Sequence, residues 1–154
     1  MAAELNIRAA APADVPVIVS LIRELAEYEK AAPGALSLTE ELLHDSLFGP
    51  RPSVEAVIAS LAGEVAGYAL FFHNFSSWRG RRGLFLEDLY VRPDRRGAGI
   101  GKALFSEVTR IARKRGCARL EWIVLDWNQS AIDFYRSQGA EPLDGWTTFR
   151  LSLL

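Results

Sequence analysis

Residues 86–101 read LEDLYVRPDRRGAGIG, and this stretch decides the fold. Leu84, Phe85 and Leu86, followed by Leu89, Tyr90 and Val91, have the length and the aromatic or β-branched content of a buried strand. Pro93 ends that strand, because proline has no N–H to offer a ladder. Arg96-Gly97-Ala98-Gly99-Ile100-Gly101 comes next, and a helical pattern starts immediately after it. A strand that feeds a glycine-rich turn into a helix N-terminus is built to hold an anion. The glycines let the backbone come close, and the first-turn N–H groups have no partner inside the helix.

Several loops share this plan, and spacing separates them. A phosphate loop of the NTPase type requires G-x-x-x-x-G-K-[ST]; Lys102 follows Gly101, but Ala103 stands where the hydroxyl is needed. A dinucleotide loop requires G-x-G-x-x-G; here Gly101 follows Gly99 one residue early, and Lys102 occupies the third glycine's place. The spacing that fits is R-x-x-G-x-G, through Arg96, Gly99 and Gly101. On the loop alone, a plain glycine-rich turn is the competing reading.

The chain has 154 residues, which is enough for one domain with a real core. Hydrophobic residues make up 49% and charged residues 24%, the balance of an ordinary globular protein. A formal net charge of −1 gives no nucleic-acid footprint. The single cysteine, Cys117, cannot form an internal disulfide, which predicts a reducing, cytoplasmic setting. No basic-then-apolar leader and no run of spanning length is present, so membrane association is not expected. His44 and His73 stand apart, without metal-ligand spacing, so no metal is expected.

Taken in order, Ile7 and Arg8 sit in a first strand, and Asp14 and Pro16 open a helix carrying Ile18, Leu21, Ile22, Leu25 and Tyr28. Pro33-Gly34 breaks it, and Ser37-Leu-Thr-Glu40 has the capping-box pattern of a second helix with Leu38, Leu42, Leu43 and Leu47. Val54–Leu61 and Val65–Phe72 read as a hairpin about Ala62-Gly63-Glu64. Asn74–Gly83, with Trp78 and Arg79, Arg81 and Arg82, reads as an exposed loop. After the glycine loop, Ile100, Ala103, Leu104, Val108, Ile111 and Ala112 share a helix face, and Gly116 stops the helix. Leu120–Trp127 reads as a strand buried on both faces; Asn128 opens a last helix, and a final strand runs from about Trp146 to Leu151. The order β-α-α-β-β-β-α-β-α-β predicts an α/β fold with a mixed sheet, helices on both faces and one domain over residues 1–154. The crossover after the glycine loop should be parallel and right-handed, with ligands beyond the carboxyl ends of its strands.

IRAAAPAD near the start, LEDLYVRPDRRGAGIG in the middle and DWNQSAIDFYRSQGA near the end together resemble the GCN5-related N-acetyltransferase (GNAT) superfamily over practically the whole chain. ELAEYEK, LEDLYV and LDWNQSAIDFY are similar to its spermidine/spermine (diamine) acetyltransferase group. Ser76-Ser77-Trp78-Arg79-Gly80 and Leu125-Asp126-Trp127-Asn128-Gln129 look more like the thialysine N-epsilon-acetyltransferase branch. The polyamine branch has an aspartate where Ser77 stands here, and that departure weighs against a polyamine acceptor.

The resemblance implies the acyl-CoA N-acyltransferase fold and acetyl-CoA as cofactor. It also implies a homodimer, and direct attack by the primary amine of a small aminoalkyl substrate in a ternary complex. Residue by residue, it implies that Leu89, Tyr90 and Val91 offer backbone to the pantetheine arm. Arg96, Gly97, Ala98, Gly99, Ile100, Gly101 and Lys102 would hold the pyrophosphate, with Asn128, Ser130 and Ala131 contacting the cofactor and Tyr135 lying near its sulfur. Tyr28, Glu29, Ser77, Glu87, Asp88 and Asp144 would line the amine side. Alternative functions are a non-catalytic acyl-CoA sensor and a protein or peptide amine acetyltransferase.

A primary amine with pKa near 10.4 is about 99.9% protonated at neutral pH, a handicap of roughly 4 kcal/mol that a base must remove. The leaving thiolate in turn gains from an acid, and Tyr135 suits that role; as a bare residue it would read as a core aromatic beside Ile132. Glu87 and Asp88 are adjacent carboxylates inside an apolar strand, so regular alternation would send them to opposite faces. A buried carboxylate is costly unless paired, which makes at least one of the two a site candidate, with a salt bridge to Arg79, Arg81 or Arg82 as the plain alternative. Glu87 is the expected base, acting through water.

Overall fold

The computed structural model describes residues 4–154, which part into two compact units, the first running to Trp122 and the second Ile123–Leu154. The first unit holds β1 (Leu5–Ala9), α1 (Val15–Tyr28), α2 (Glu40–Phe48), β2 (Glu55–Leu61), β3 (Glu64–Ser76), β4 (Arg81–Val91), α3 (Ile100–Lys114) and β5 (Leu120–Glu121). The second holds α4 (Gln129–Ser137).

The sheet runs β1-β2-β3-β4-β5. β1 through β4 pair antiparallel, and β5 joins β4 in parallel through the expected crossover, α3. Ala62 and Gly63 both take positive φ (52° and 82°), the geometry that lets a two-residue turn follow the right-handed twist between β2 and β3.

One face of the sheet is covered by α1 and α2. Ile18, Leu21 and Leu25 of α1 and Leu43 and Leu47 of α2 form one buried cluster with Ile58, Tyr68, Leu70 and Tyr90 of the strands. The opposite face meets α3, whose Ile100, Leu104, Val108 and Ala112 are buried in the stripe that the sequence predicts. Gly67 sits where β3 passes under α3; a Cβ there would stand 2.4 Å from the Tyr90 carbonyl oxygen and 3.3 Å from Leu104.

Four local expectations are corrected. Asn74–Gly83 is not a loop: β3 runs on to Ser76, β4 starts at Arg81, and only residues 77–80 turn. The polar side chains misled, because backbone pairing does not require apolar ones; the Ser76 hydroxyl accepts from the Arg79 N–H at 3.2 Å to close the turn. α2 is capped by Thr39, whose hydroxyl accepts from the Leu42 N–H at 3.2 Å, two residues later than Ser37. The strand expected over Leu120–Trp127 shrinks to Leu120–Glu121, paired with Leu84 and Phe85, while Ile123 is 63% exposed. The final strand from Trp146 to Leu151 does not form among the described residues, and Phe149 is 91% exposed. Apolar alternation tells which side chains would share a face, but supplies no partner edge.

Candidate active site

The site is organised by a β-bulge in β4. Leu70 of β3 pairs with Asp88 and Phe71 pairs with Leu86, which leaves Glu87 as the extra residue without a ladder partner. The bulge breaks the regular alternation expected for the two carboxylates. Leu84 and Leu86 face α3 with Phe71, whereas Asp88 and Tyr90 are carried to the α1 and α2 side with Leu70 and Tyr68. One inserted residue therefore moves Asp88 from one core to the other and leaves Glu87 exposed.

Three carboxylates influence one another there. Burial pushes the Asp88 carboxyl up to about 6; a hydrogen bond from Tyr68 opposes the rise, and Glu87 and Glu29 add to it. Tyr68 Oη donates to Asp88 Oδ2 at 2.8 Å, and the Tyr68 side chain is fully buried. Burial, with the Asp88 charge beside it, holds the Tyr68 phenol well above the usual tyrosine range. Glu29, the C-cap of α1, is raised by partial desolvation and by the Glu87 carboxylate. Glu29, Glu87 and Asp88 are thus brought into one electrostatic group.

The glycine loop follows at the end of β4. Gly97 and Gly99 take φ of 86° and 77°, values that L side chains avoid, and Gly99 is the N-cap of α3. A Cβ at either would meet nothing within 4 Å, so the loop turns bare backbone to open space at the helix N-terminus. Arg96 is not extended freely: its Nε donates to the Val91 carbonyl at 3.0 Å, and its guanidinium lies 5.1 Å from the Tyr28 ring centroid and 5.7 Å from that of Tyr90. Tyr28 therefore sits beside the loop, next to Glu29.

Ser77 is exposed at the head of the β3–β4 turn. In the second unit, the Asn128 side chain caps α4 by accepting from the Ala131 N–H at 3.2 Å, and it is buried. Ser130 is exposed on the first turn; Tyr135 lies on the same helix with its ring 5.3 Å from that of Phe134. Asp144 is exposed in the segment after α4.

The family model for the acetyltransferase (GNAT) family matches residues 20–140. The chain is 41% identical over 155 residues to a thialysine N-epsilon-acetyltransferase of Bos taurus, covering 94% of this chain and 90% of that protein. This chain belongs to the GNAT acetyltransferase family. It is 30% identical to an L-ornithine N5-acetyltransferase of Arabidopsis thaliana, over 96% of this chain and 84% of that one. An aminoglycoside acetyltransferase from an uncultured soil metagenomic sample, solved with sisomicin, has the same fold: TM-score 0.79 at 22% identity, covering 97% of each chain.

As a GNAT N-acetyltransferase, the chain carries a loop whose uncrowded, positive-φ glycines lead into a helix N-terminus, chemistry that suits a pyrophosphate. Three site neighbours escaped the sequence reading. Tyr68 looked like one more apolar strand residue, and only a buried phenol's need for a partner hints at Asp88. Glu24 accepts from Tyr90 Oη and Arg92 Nε, both at 3.3 Å, tying α1 to the end of β4 across 66 and 68 residues of sequence. No local spacing announces a pairing that distant.

Proposed function

We propose that this chain, as one domain over residues 1–154, transfers an acetyl group from acetyl-CoA to the primary amine of a small aminoalkyl compound of the thialysine type. The observation that carries the acceptor class is the electrostatic grouping of Glu29, Glu87 and Asp88, two of which raise the Asp88 pKa. Like charges held together are relieved by a cation, and an alkylammonium brings one. The curated relatives named above act on thialysine and ornithine by their names, and both acceptors are amino acids with a side-chain amine.

Acetyl-CoA, when bound, supplies the activated acetyl thioester whose carbonyl carbon the amine attacks in a ternary complex. The backbone of residues 96–102 holds its pyrophosphate, Leu89, Tyr90 and Val91 align the pantetheine arm, and Asn128, Ser130 and Ala131 complete the cofactor contacts. Glu29, Glu87 and Asp88 desolvate and orient the ammonium, and one of the strand carboxylates takes its proton; Tyr28, Ser77 and Asp144 flank the acceptor. Tyr135 Oη gives a proton to the departing sulfur. The lone cysteine supports a reducing, cytoplasmic setting, and kinship with the diamine group supports a homodimer.

The test is purified protein with acetyl-CoA against thialysine, lysine, ornithine, putrescine, spermidine and a lysine peptide. Thialysine has a lower amine pKa than lysine, so less protonation must be overcome. It should show the highest kcat/KM, and a preference for the peptide would overturn the small-amine reading.

A further inference from the structure

Resting on the amine-acetyltransferase reading, we infer that Tyr68 is a positioning residue that holds Asp88 as the base for the ammonium proton, with Glu87 as the outer contact to the cation. The argument begins at the bulge. Glu87 is the residue expelled from the ladder and faces solvent, whereas Asp88 is turned into the α1 and α2 side opposite Leu70. There it lies one strand pair from Tyr90 and receives the Tyr68 hydroxyl on Oδ2 at 2.8 Å. Phenylalanine would fill the Tyr68 space with the same ring, since the side chain is fully enclosed in the apolar cluster with Ile58 and Leu70. Among the described residues, the hydroxyl adds the bond to Asp88.

A base for an ammonium must be ionised at the working pH and yet hold a proton once it is taken. Burial alone drives a carboxyl toward the neutral acid, and the neighbouring carboxylates Glu87 on β4 and Glu29 at the C-cap of α1 drive it the same way. The Tyr68 bond from β3 pulls against all three, keeping the group ionised near neutrality while leaving it more basic than an exposed aspartate. In the step itself an N–H bond of the ammonium breaks, its electron pair stays on nitrogen, and an O–H bond forms on Asp88. The proton then leaves to solvent past Glu87, and the carboxylate is restored for the next turnover.

The experiment compares the pH dependence of kcat/KM for thialysine in the unaltered protein, Tyr68→Phe, Glu87→Gln and Asp88→Asn. Loss of a charge-assisted bond should move the acidic limb of Tyr68→Phe upward by about one pH unit. Its rate at pH 6 should then fall about fivefold, approaching tenfold at lower pH, while the rate at pH 9 changes by less than about threefold. Asp88→Asn should lose the acidic limb and about 10²–10⁴-fold in kcat. Glu87→Gln should keep the limb and raise the amine KM. Titration of the Asp88 carboxyl carbon by NMR in ¹³C-aspartate protein, assigned through Asp88→Asn, should shift upward in Tyr68→Phe without any turnover. Superimposable limbs and titrations in Tyr68→Phe overturn the inference, as does a limb lost in Glu87→Gln and retained in Asp88→Asn. Should Tyr68→Phe fail to fold, that second comparison decides alone. An unaltered protein that acetylates none of the amines instead sinks the underlying reading.

Discussion

Arg96 lies over Tyr28: its guanidinium carbon is 5.1 Å from the ring centroid, and the same group faces Tyr90 at 5.7 Å. One side chain of the glycine loop thereby touches the last residue of α1 and the end of β4. Glu29 caps α1 immediately after Tyr28, so the loop that suits an anion and the carboxylates that suit a cation share a mechanical link.

That link gives the first prediction. Arg96→Lys keeps the charge but loses the planar group that stacks on both rings. An exposed cation–π contact is worth about 0.5–1 kcal/mol, or roughly twofold to fivefold. The KM for acetyl-CoA and the KM for the amine should both rise by about that factor in steady-state kinetics. A change in the acetyl-CoA KM alone would mean that Arg96 acts only as a charge.

Tyr135 gives the second. Its ring packs at 5.3 Å from Phe134 on α4, a contact that Tyr135→Phe retains. The substitution removes only the hydroxyl, so a packing role predicts an unchanged rate. As the acid for the leaving sulfur, the hydroxyl should be worth about 10²-fold or more in kcat, with the acetyl-CoA affinity unchanged by calorimetry. A loss of less than a few-fold would remove Tyr135 from the chemistry.

Most of the fold was legible because its signals are local. The α3 stripe from Ile100 to Ala112 and the positive-φ glycines at 63, 97, 99 and 116 each follow from residues within a turn or two. The misreadings fall where pairing is decided at a distance. Asn74–Ser76 and Arg81–Gly83 are strands because they have each other, whereas Trp146–Leu151 takes no strand conformation among the described residues. The site divides in the same way. Glu87 and Asp88 stood out as carboxylates in an apolar run, but the bulge that separates their environments is set by register against Leu70 and Phe71. Tyr68, twenty residues from Asp88, carries no sequence mark of its bond.

Ser77 supplies the third prediction. It stands exposed at the head of the turn between β3 and β4, where a carboxylate would add a second anchor for a long polycation. An exposed ion pair is worth no more than about 1 kcal/mol, or roughly fivefold. Ser77→Asp should raise the ratio of kcat/KM for spermidine over thialysine by up to about that factor, with no effect on the thermal transition. An unchanged ratio would show that another residue sets acceptor length.

The last prediction concerns what Asp88 does to the fold. Its carboxyl binds a proton more tightly in the folded chain, at about 6, than in the unfolded chain, near 3.9. Below the unfolded value both states carry the proton and the site costs nothing. As pH rises through the window from about 4 to about 6, the unfolded chain ionises freely while the folded one must ionise a desolvated group, and stability is lost. Two pH units correspond to about 3 kcal/mol as an upper figure, which for a chain of this size is roughly 6–12 °C in Tm. Asp88→Asn cannot ionise, and its amide oxygen still accepts from Tyr68. Scanning calorimetry should therefore find the variant more stable than the unaltered protein at pH 8, with the advantage vanishing by pH 4. A Tm difference that is the same at both pH values would mean that the two states bind the Asp88 proton equally. The carboxylate is then not desolvated in the fold, and the bulge has another purpose.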